Sequence, residues 1–194
     1  LHEDAIFPVR CSKIPINIRN TNDPSAPGTM IVPKASSNIT ETVITGIAGK
    51  KGITAIHVEK DKMNSEIGFG RKVLEVLENH SVSFEHLPSG IDTMSVLVAS
   101  GAIAECKGSI TAEIVKKVNP DSITLVENLA LIAVVGRGMV NNEGTAARIF
   151  TALADAHINI RMIDQGSSEI NIIVAVDEKD YQSTLEAIYN AFVK

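Results

Sequence analysis

Two stretches of the chain place a methionine, four further residues and then a glycine directly ahead of an amphipathic run. They are Met63-Asn64-Ser65-Glu66-Ile67-Gly68 and Met139-Val140-Asn141-Asn142-Glu143-Gly144. A glycine in that place lets the backbone turn through positive φ into a helix. The first N–H groups of a helix have no partner inside it, and with the helix dipole they attract an anion. A carboxylate satisfies that geometry as well as a phosphate does. The methionines suit a core more than a site.

The second stretch is preceded by Gly136-Arg137-Gly138, which invites a nucleotide reading. The spacing opposes it. A phosphate loop needs Gly-x4-Gly-Lys-Ser/Thr, whereas Gly144 is followed by Thr145 with no lysine to reach a phosphate. A dinucleotide fingerprint needs its third glycine three residues after the second, and here it comes six residues after Gly138. The first stretch carries Lys60 and Lys62 where the second carries the two glycines. A plain turn glycine and a carboxylate-binding helix start both remain; were the ligand a free amino acid, its carboxylate would meet these N–H groups and nearby oxygens would take its ammonium.

Candidates for that second role lie in two hairpin-like segments. "SFEHLPSGIDTMS" (83–95) offers Glu85, Ser89 and Asp92, and "NIRMIDQGSSEIN" (159–171) offers Arg161, Gln165, Ser167, Ser168 and Glu169. The competing reading is a water-exposed polar tip. His57, His80, His86 and His157 have no metal-ligand or triad spacing, so neither a catalytic residue nor a metal site is assigned. Cys11 and Cys106 form no metal or disulfide pattern and are read as buried or incidental thiols of a reducing cytosol.

These groups sit on a repeat with a constant offset of 76 residues. Met63, Gly68, Leu77, Val82, Met94 and Val96 fall opposite Met139, Gly144, Leu153, Ile158, Ile170 and Ile172 without a gap. Each copy reads strand, polar loop, helix, two strands, helix. The strands are "ITAIHVE" (53–59) and "LALIAVVG" (129–136). The helix stripes are Phe69, Val73, Val76 and Leu77 in the first copy, and Ala146, Ile149, Phe150, Leu153 and Ala154 in the second. "SITAEIVKKV" and "DYQSTLEAIYNAF" close the copies, the latter with Leu185, Ile188, Tyr189 and Phe192 as its stripe. This is most of a ferredoxin-like βαββαβ unit, an α+β fold. "DSITLVEN" (121–128) supplies the sixth element of the first copy. "ETVITGIAG" (41–49) lies upstream and can complete the second. Such nesting covers a sheet edge and is favoured over two consecutive units.

The expected boundaries are 1–33, 34–42 as linker, 43–52 as the strand completing the second unit, 53–128, and 129–194. Residues 1–33 hold five of the seven prolines and the turn-rich "NTNDPSAPGT". Leu1 in place of an initiating Met is read as the start of a fragment. With 194 residues, 44% hydrophobic and 21% charged, the chain can bury more than one core. A net charge of −5 gives no basic face for nucleic acid, and 4% aromatics give no stacking platform. No apolar run approaches the roughly 20 residues that span a membrane, and no signal peptide is visible. A cytoplasmic protein without nucleic-acid or membrane partners is expected.

"AIFPVRCSKIPINIRNTNDPSAPGTMIV" resembles the closing segment of the catalytic domain of aspartate kinases. "HVEKDKMNSEIGFGRKVLEVLE…VSFEHLPSGIDTMSVLV" and "GRGMVNNEGTAARIFTALADAHINIRMIDQGSSEINIIVAV" resemble the tandem ACT domains of that family. The resemblance implies a parent enzyme that phosphorylates the β-carboxylate of L-aspartate with ATP and Mg, and a chain here that is inactive alone and holds no cofactor. It implies an end-product effector, lysine and/or threonine, bound between ACT units of a homodimer. The effector site carried over by position is Met63, Asn64, Ser65, Glu66, Ile67, Gly68, Phe69 and Gly70 for the carboxylate. Ser83, Phe84 and Glu85 would line an edge strand, with Ser89 and Asp92 nearby. A second effector or interface loop would use Met139, Asn141, Gly144, Gln165, Ser167, Ser168 and Glu169. The rival readings are a ligand-free ACT dimerisation module and a nucleotide-binding enzyme.

Overall fold

Proline and turn residues dominate the start of the chain, and its structure is correspondingly sparse. A computed structural model describes residues 3–32 and 42–193, and divides the chain into two compact units, 1–41 and 42–194. The expected linker at 34–42 lies almost wholly outside the described residues. The first unit has helix α1 (Glu3–Arg10) and two short antiparallel strands, β1 (Ile16–Ile18) and β2 (Thr29–Ile31). The Arg19 guanidinium ties their connection together by donating to the carbonyls of Pro24 and Ala26. Phe7, Ile14, Ile18 and Met30 remain exposed in this unit, as does Cys11, which of the two expected readings leaves the incidental thiol.

The second unit follows the repeat. Its elements are β3 (Gly46–Glu59), α2 (Phe69–Asn79), β4 (Phe84–His86), β5 (Thr93–Ala99), α3 (Ser100–Ile103), α4 (Lys107–Val118), β6 (Ser122–Val135), α5 (Thr145–Asp155), β7 (Ile160–Asp164), β8 (Asn171–Asp177) and α6 (Tyr181–Val193). The six strands form one antiparallel sheet in the order β4-β5-β3-β6-β8-β7.

The two copies interlock through two long strands. Residues 53–59 of β3 pair with β5 and with 122–129 of β6, while residues 46–50 pair with 131–135 of β6. Each half-sheet therefore borrows one segment from a strand shared with the other. The register shifts between Lys50 and Ala55, where Gly52 adopts φ +70° and Asn128 of β6 adopts φ +58°. The strands expected separately at 41–49 and 53–59 are one continuous strand from Gly46 to Glu59, and those expected at 121–128 and 129–136 are one from Ser122 to Val135, each with an irregularity in the middle; residue 41 lies outside the described residues.

Alternation along the strands assigns the two faces. Ile56, Val58, Val96 and Val98 pack under α2 and α4 with the stripe Phe69, Val73, Val76 and Leu77. Ile132, Val134, Ile172 and Val174 pack under α5 and α6 with Ile149, Leu153 and Ile188. In α6, Thr184 is buried and Tyr189 exposed, so the stripe is rotated from the expected one. Thr184 is accommodated because its hydroxyl donates to the Asp180 carbonyl at 2.7 Å. Residues of opposite parity, Ile53, Ala55, Leu97 and Leu129, form a third cluster on the helix-free face, with Leu131 and Met162 against it. That cluster spans both halves. The sheet curls over it until side chains of its two edge strands meet: His86 Nε2 lies 3.3 Å from Asp164 Oδ2, out of alignment for a hydrogen bond.

Candidate functional site

Beyond Glu59 the chain leaves the sheet and must reach α2 within nine residues. Lys62 takes a left-handed conformation (φ +59°), Met63–Ser65 makes a 3-10 turn, and Gly68 (φ +78°) opens α2. Met63 and Phe69 are buried, so their side chains anchor the loop and only their backbone is available to a ligand. Ile67 is 95% exposed. Nothing caps α2 with a side chain, and its first turn carries no acidic residue. An uncapped N-terminus beside an exposed loop is a receptive place for an anion. Gly70 rests near Met94 of β5, which seats this turn on the sheet.

Two charged devices hold the loop. The Glu66 carboxylate bridges Lys60 and Lys72, each at 2.6 Å. Hydrogen bonds from these two ammonium groups, that from Lys60 first, hold its carboxyl below the ordinary glutamate range. From the β4–β5 hairpin, Asp92 Oδ1 accepts the Lys62 N–H at 2.9 Å, and its carbonyl accepts the Lys60 N–H at 2.9 Å. The Asn64 N–H donates to the Ile91 carbonyl at 3.1 Å. The structure thus brings 63–65 together with 91–92, but Asp92 serves the loop's own backbone.

Glu85 stands elsewhere. It lies in β4 beside Val98 and Leu97, whose partners in β3 are Thr54 and Ala55. That is four or five residues short of the loop, about 13–17 Å along the sheet at the usual strand rise. Its carboxylate pairs with the Lys50 ammonium at 2.6 Å. Ser83 and Phe84 line a groove against Arg71, Leu74 and Glu75 of α2. Ser89 sits at the hairpin tip and faces the cleft on the helix-free side. The expected residues therefore fall into a loop cluster, an edge groove and a paired Glu85. The sequence reading missed Lys50, Lys60 and Lys72, whose partners lie at non-helical separations and give no periodic signal.

The second copy repeats the frame with other contents. Arg137–Met139 makes the 3-10 turn, Met139 is buried, and Gly144 (φ +84°) opens an uncapped α5. Glu169 Oε2 accepts the Asn141 N–H at 2.9 Å, tying loop to hairpin. Gln165, Ser167 and Ser168 are exposed at the tip. Gly136 and Gly138 press against the incoming backbone of residues 42–45: a methyl on Gly136 would lie 2.6 Å from Ile44 Cα, and one on Gly138 2.9 Å from the Thr42 carbonyl oxygen. The Gly-x-Gly makes room for chain, not phosphate. Among the described residues no three His, Cys, Asp or Glu side chains converge on a metal position. No helix among the described residues is long and apolar enough to cross a membrane.

Comparison with known proteins agrees with this architecture. Residues 132–192 match the ACT domain family. Aspartokinase 3 of Bacillus subtilis is 41% identical over 192 residues, covering 98% of this chain and 42% of that protein. The structure of Clostridium acetobutylicum aspartate kinase superposes with a TM-score of 0.89 at 53% identity, covering 99% of this chain and 44% of that one. Escherichia coli aspartokinase III, solved with lysine and aspartate, shares the fold with a TM-score of 0.79 at 22% identity, over all of this chain and 42% of its own. The chain spans less than half the length of each.

Proposed function

The chain belongs to the aspartokinase family, as a regulatory region built on ACT units, and from that premise we propose that it is an amino-acid sensor. It binds a free amino acid, lysine and/or threonine, and through that binding feedback-inhibits a catalytic domain that phosphorylates L-aspartate with ATP and Mg. The observation that carries this reading is the repeated uncapped helix N-terminus behind a positive-φ glycine, at Gly68 and Gly144. Such a terminus takes a carboxylate without a dedicated side chain. Of the two, the first is the main site. Its loop is exposed around Ile67, whereas Gly136 and Gly138 of the second are filled by residues 42–45.

Pairing of two chains completes the site. Strands β4 and β7 end the sheet, so their outer backbone groups are open to a second copy. A partner there stands beside the groove of Ser83 and Phe84, and its arrival changes the surroundings of Glu85. Regulation then requires that the effector favour one arrangement of the pair, with a coupling of about 1–3 kcal/mol.

A ligand-free dimerisation module is the second reading. It is favoured by the engagement of Glu85 with Lys50 and of Asp92 with the loop backbone. Thermal unfolding with lysine, threonine, methionine and aspartate separates the two. An effector at about 100 times its Kd raises stability by about 2.7 kcal/mol, and Glu85→Ala weakens the shift more than Glu169→Ala. No shift with any amino acid supports the module.

A further inference from the structure

We propose that the cleft on the helix-free face of the sheet is a second small-molecule site, for a monocarboxylate with an apolar body. It lies between the two halves, away from the helix N-termini. Its volume is about 250 Å³, larger than the roughly 150 Å³ cavity known to hold benzene. The cavity persists because Ala55 and Ala175 leave space that larger side chains would fill, while Leu97, Val126, Leu129 and Met162 supply apolar walls.

The polar groups at its edge select the ligand's charge. Arg161 lines it with the Thr93 hydroxyl, while His57 Nδ1 and Ser95 Oγ, 2.8 Å apart, are engaged with each other; no Asp or Glu is among the lining residues. Neighbouring acids are turned to other partners: Glu59 to His57 Nε2 at 3.2 Å and to the Ser122 hydroxyl at 2.6 Å, and Asp164 toward His86. Arg161 has five N–H donors, and its ion pair with Asp177 is long, at 3.5 Å. A carboxylate entering the cleft gains a cation that is incompletely engaged, without meeting a like charge in the lining. An apolar body alone gains the walls but leaves Arg161 unanswered.

The site also joins the two copies. Ala55, Leu97 and His57 come from strands of the first half, and Arg161, Met162 and Ala175 from the second. Occupancy therefore depends on the curl that brings His86 to Asp164. A ligand here biases the arrangement of the two halves directly, independently of any effector at Gly68 or Gly144.

Methyl and amide NMR of the 194-residue chain, titrated with 4-methylpentanoate and with its neutral amide, tests the assignment. The acid is expected to shift the methyls of Leu97, Val126, Leu129 and Met162 saturably while the amides of residues 63–70 stay in place. The neutral amide should bind at least about tenfold more weakly. Arg161→Gln, on a half-exposed strand residue, should remove that tenfold preference and leave the amide's affinity unchanged. Four results overturn the proposal. They are equal binding of acid and amide, an unaltered preference in Arg161→Gln, shifts confined to the helix-start loops, and no saturable shift up to about 50 mM of the acid. Burial of the same methyls by a second copy, seen as concentration-dependent shifts without ligand, also overturns it.

Discussion

The loop at 60–68 and the loop at 136–144 descend from the same repeat position, and they differ in what holds them. The first is held by charge: Lys60, Glu66 and Lys72 form one cluster, and Asp92 receives the backbone of Lys62. The second has one carboxylate tie of the same kind, Glu169 to the Asn141 N–H, but no ion-pair cluster; in its place is backbone fit, with Gly136 and Gly138 set against residues 42–45 where the chain enters β3. Only the second loop lies beside that entering segment, because β3 starts next to the end of β6. Topology thus set different demands on one framework. A side chain could be kept at 60 and 62, whereas none fits at 136 and 138. Glycines that resemble a phosphate motif are a consequence of the interlock.

The largest difference between the loops should come from giving both the same residue. Gly136 is extended (φ −175°), so any residue suits its backbone, and space alone excludes a side chain. In Gly136→Ala the new methyl meets main chain, which cannot step aside as a flexible side chain does. Overpacking of this kind costs about 1–3 kcal/mol or more. At the equivalent position Lys60→Ala removes a solvent-screened ion pair with Glu66 and a hydrogen bond to the Val118 carbonyl, and brings no clash with main chain. Urea unfolding of the two variants is expected to show the alanine at 136 as clearly the more damaging. Equal losses would mean that residues 42–45 do not pack against the Gly-x-Gly.

The shared part of the framework predicts a smaller and equal effect. Gly68 and Gly144 hold φ near +80° with open space around them, so the strain of a side chain there is conformational. Gly68→Ala and Gly144→Ala should each cost about 1–2 kcal/mol, the usual left-handed penalty. Denaturant midpoints measure this, and a difference between the two variants beyond about 0.5 kcal/mol would show that one loop relaxes where the other does not.

Those glycines were legible in the sequence because their role is local. The same holds for the stripe Phe69, Val73, Val76 and Leu77, whose helical period is enough to bury it. The repeat exposed the ferredoxin-like order, and the orphan strand at 41–49 exposed the interlock. Long-range partners were not legible. Lys50 lies 35 residues from Glu85, and Asp92 reads as a free carboxylate until the hairpin folds back onto Lys62. The expected boundaries after residues 52 and 128 separate strands, yet the ladder carries both strands through Gly52 and Asn128 with a shifted register. The cleft with Arg161 and His57 needs the whole sheet to curl, and no window of sequence contains it.

The smallest effect is also the one that isolates the charge cluster. Glu66 is held below the ordinary glutamate value of about 4.3 by its bonds to Lys60 and Lys72. The folded state therefore binds fewer protons than the unfolded one between the two values, and stability rises with pH across that window. The contribution is fully present above the unfolded value and is lost as pH falls through the lower, folded one. Glu66→Gln should remove this slope, leaving a variant whose stability relative to the wild type improves as acid is added. The second loop has Asn142 in the equivalent place, an amide that does not titrate. Amide exchange of residues 63–70 and 139–146, compared between pH 3 and pH 6 after correction for intrinsic rates, reads each loop separately. Faster opening of the first segment in acid is expected in the wild type and not in Glu66→Gln. If the first segment loosens in acid as much in Glu66→Gln as in the wild type, the cluster around Glu66 is not what holds the first loop, and the contrast drawn between charge and backbone fit fails with it.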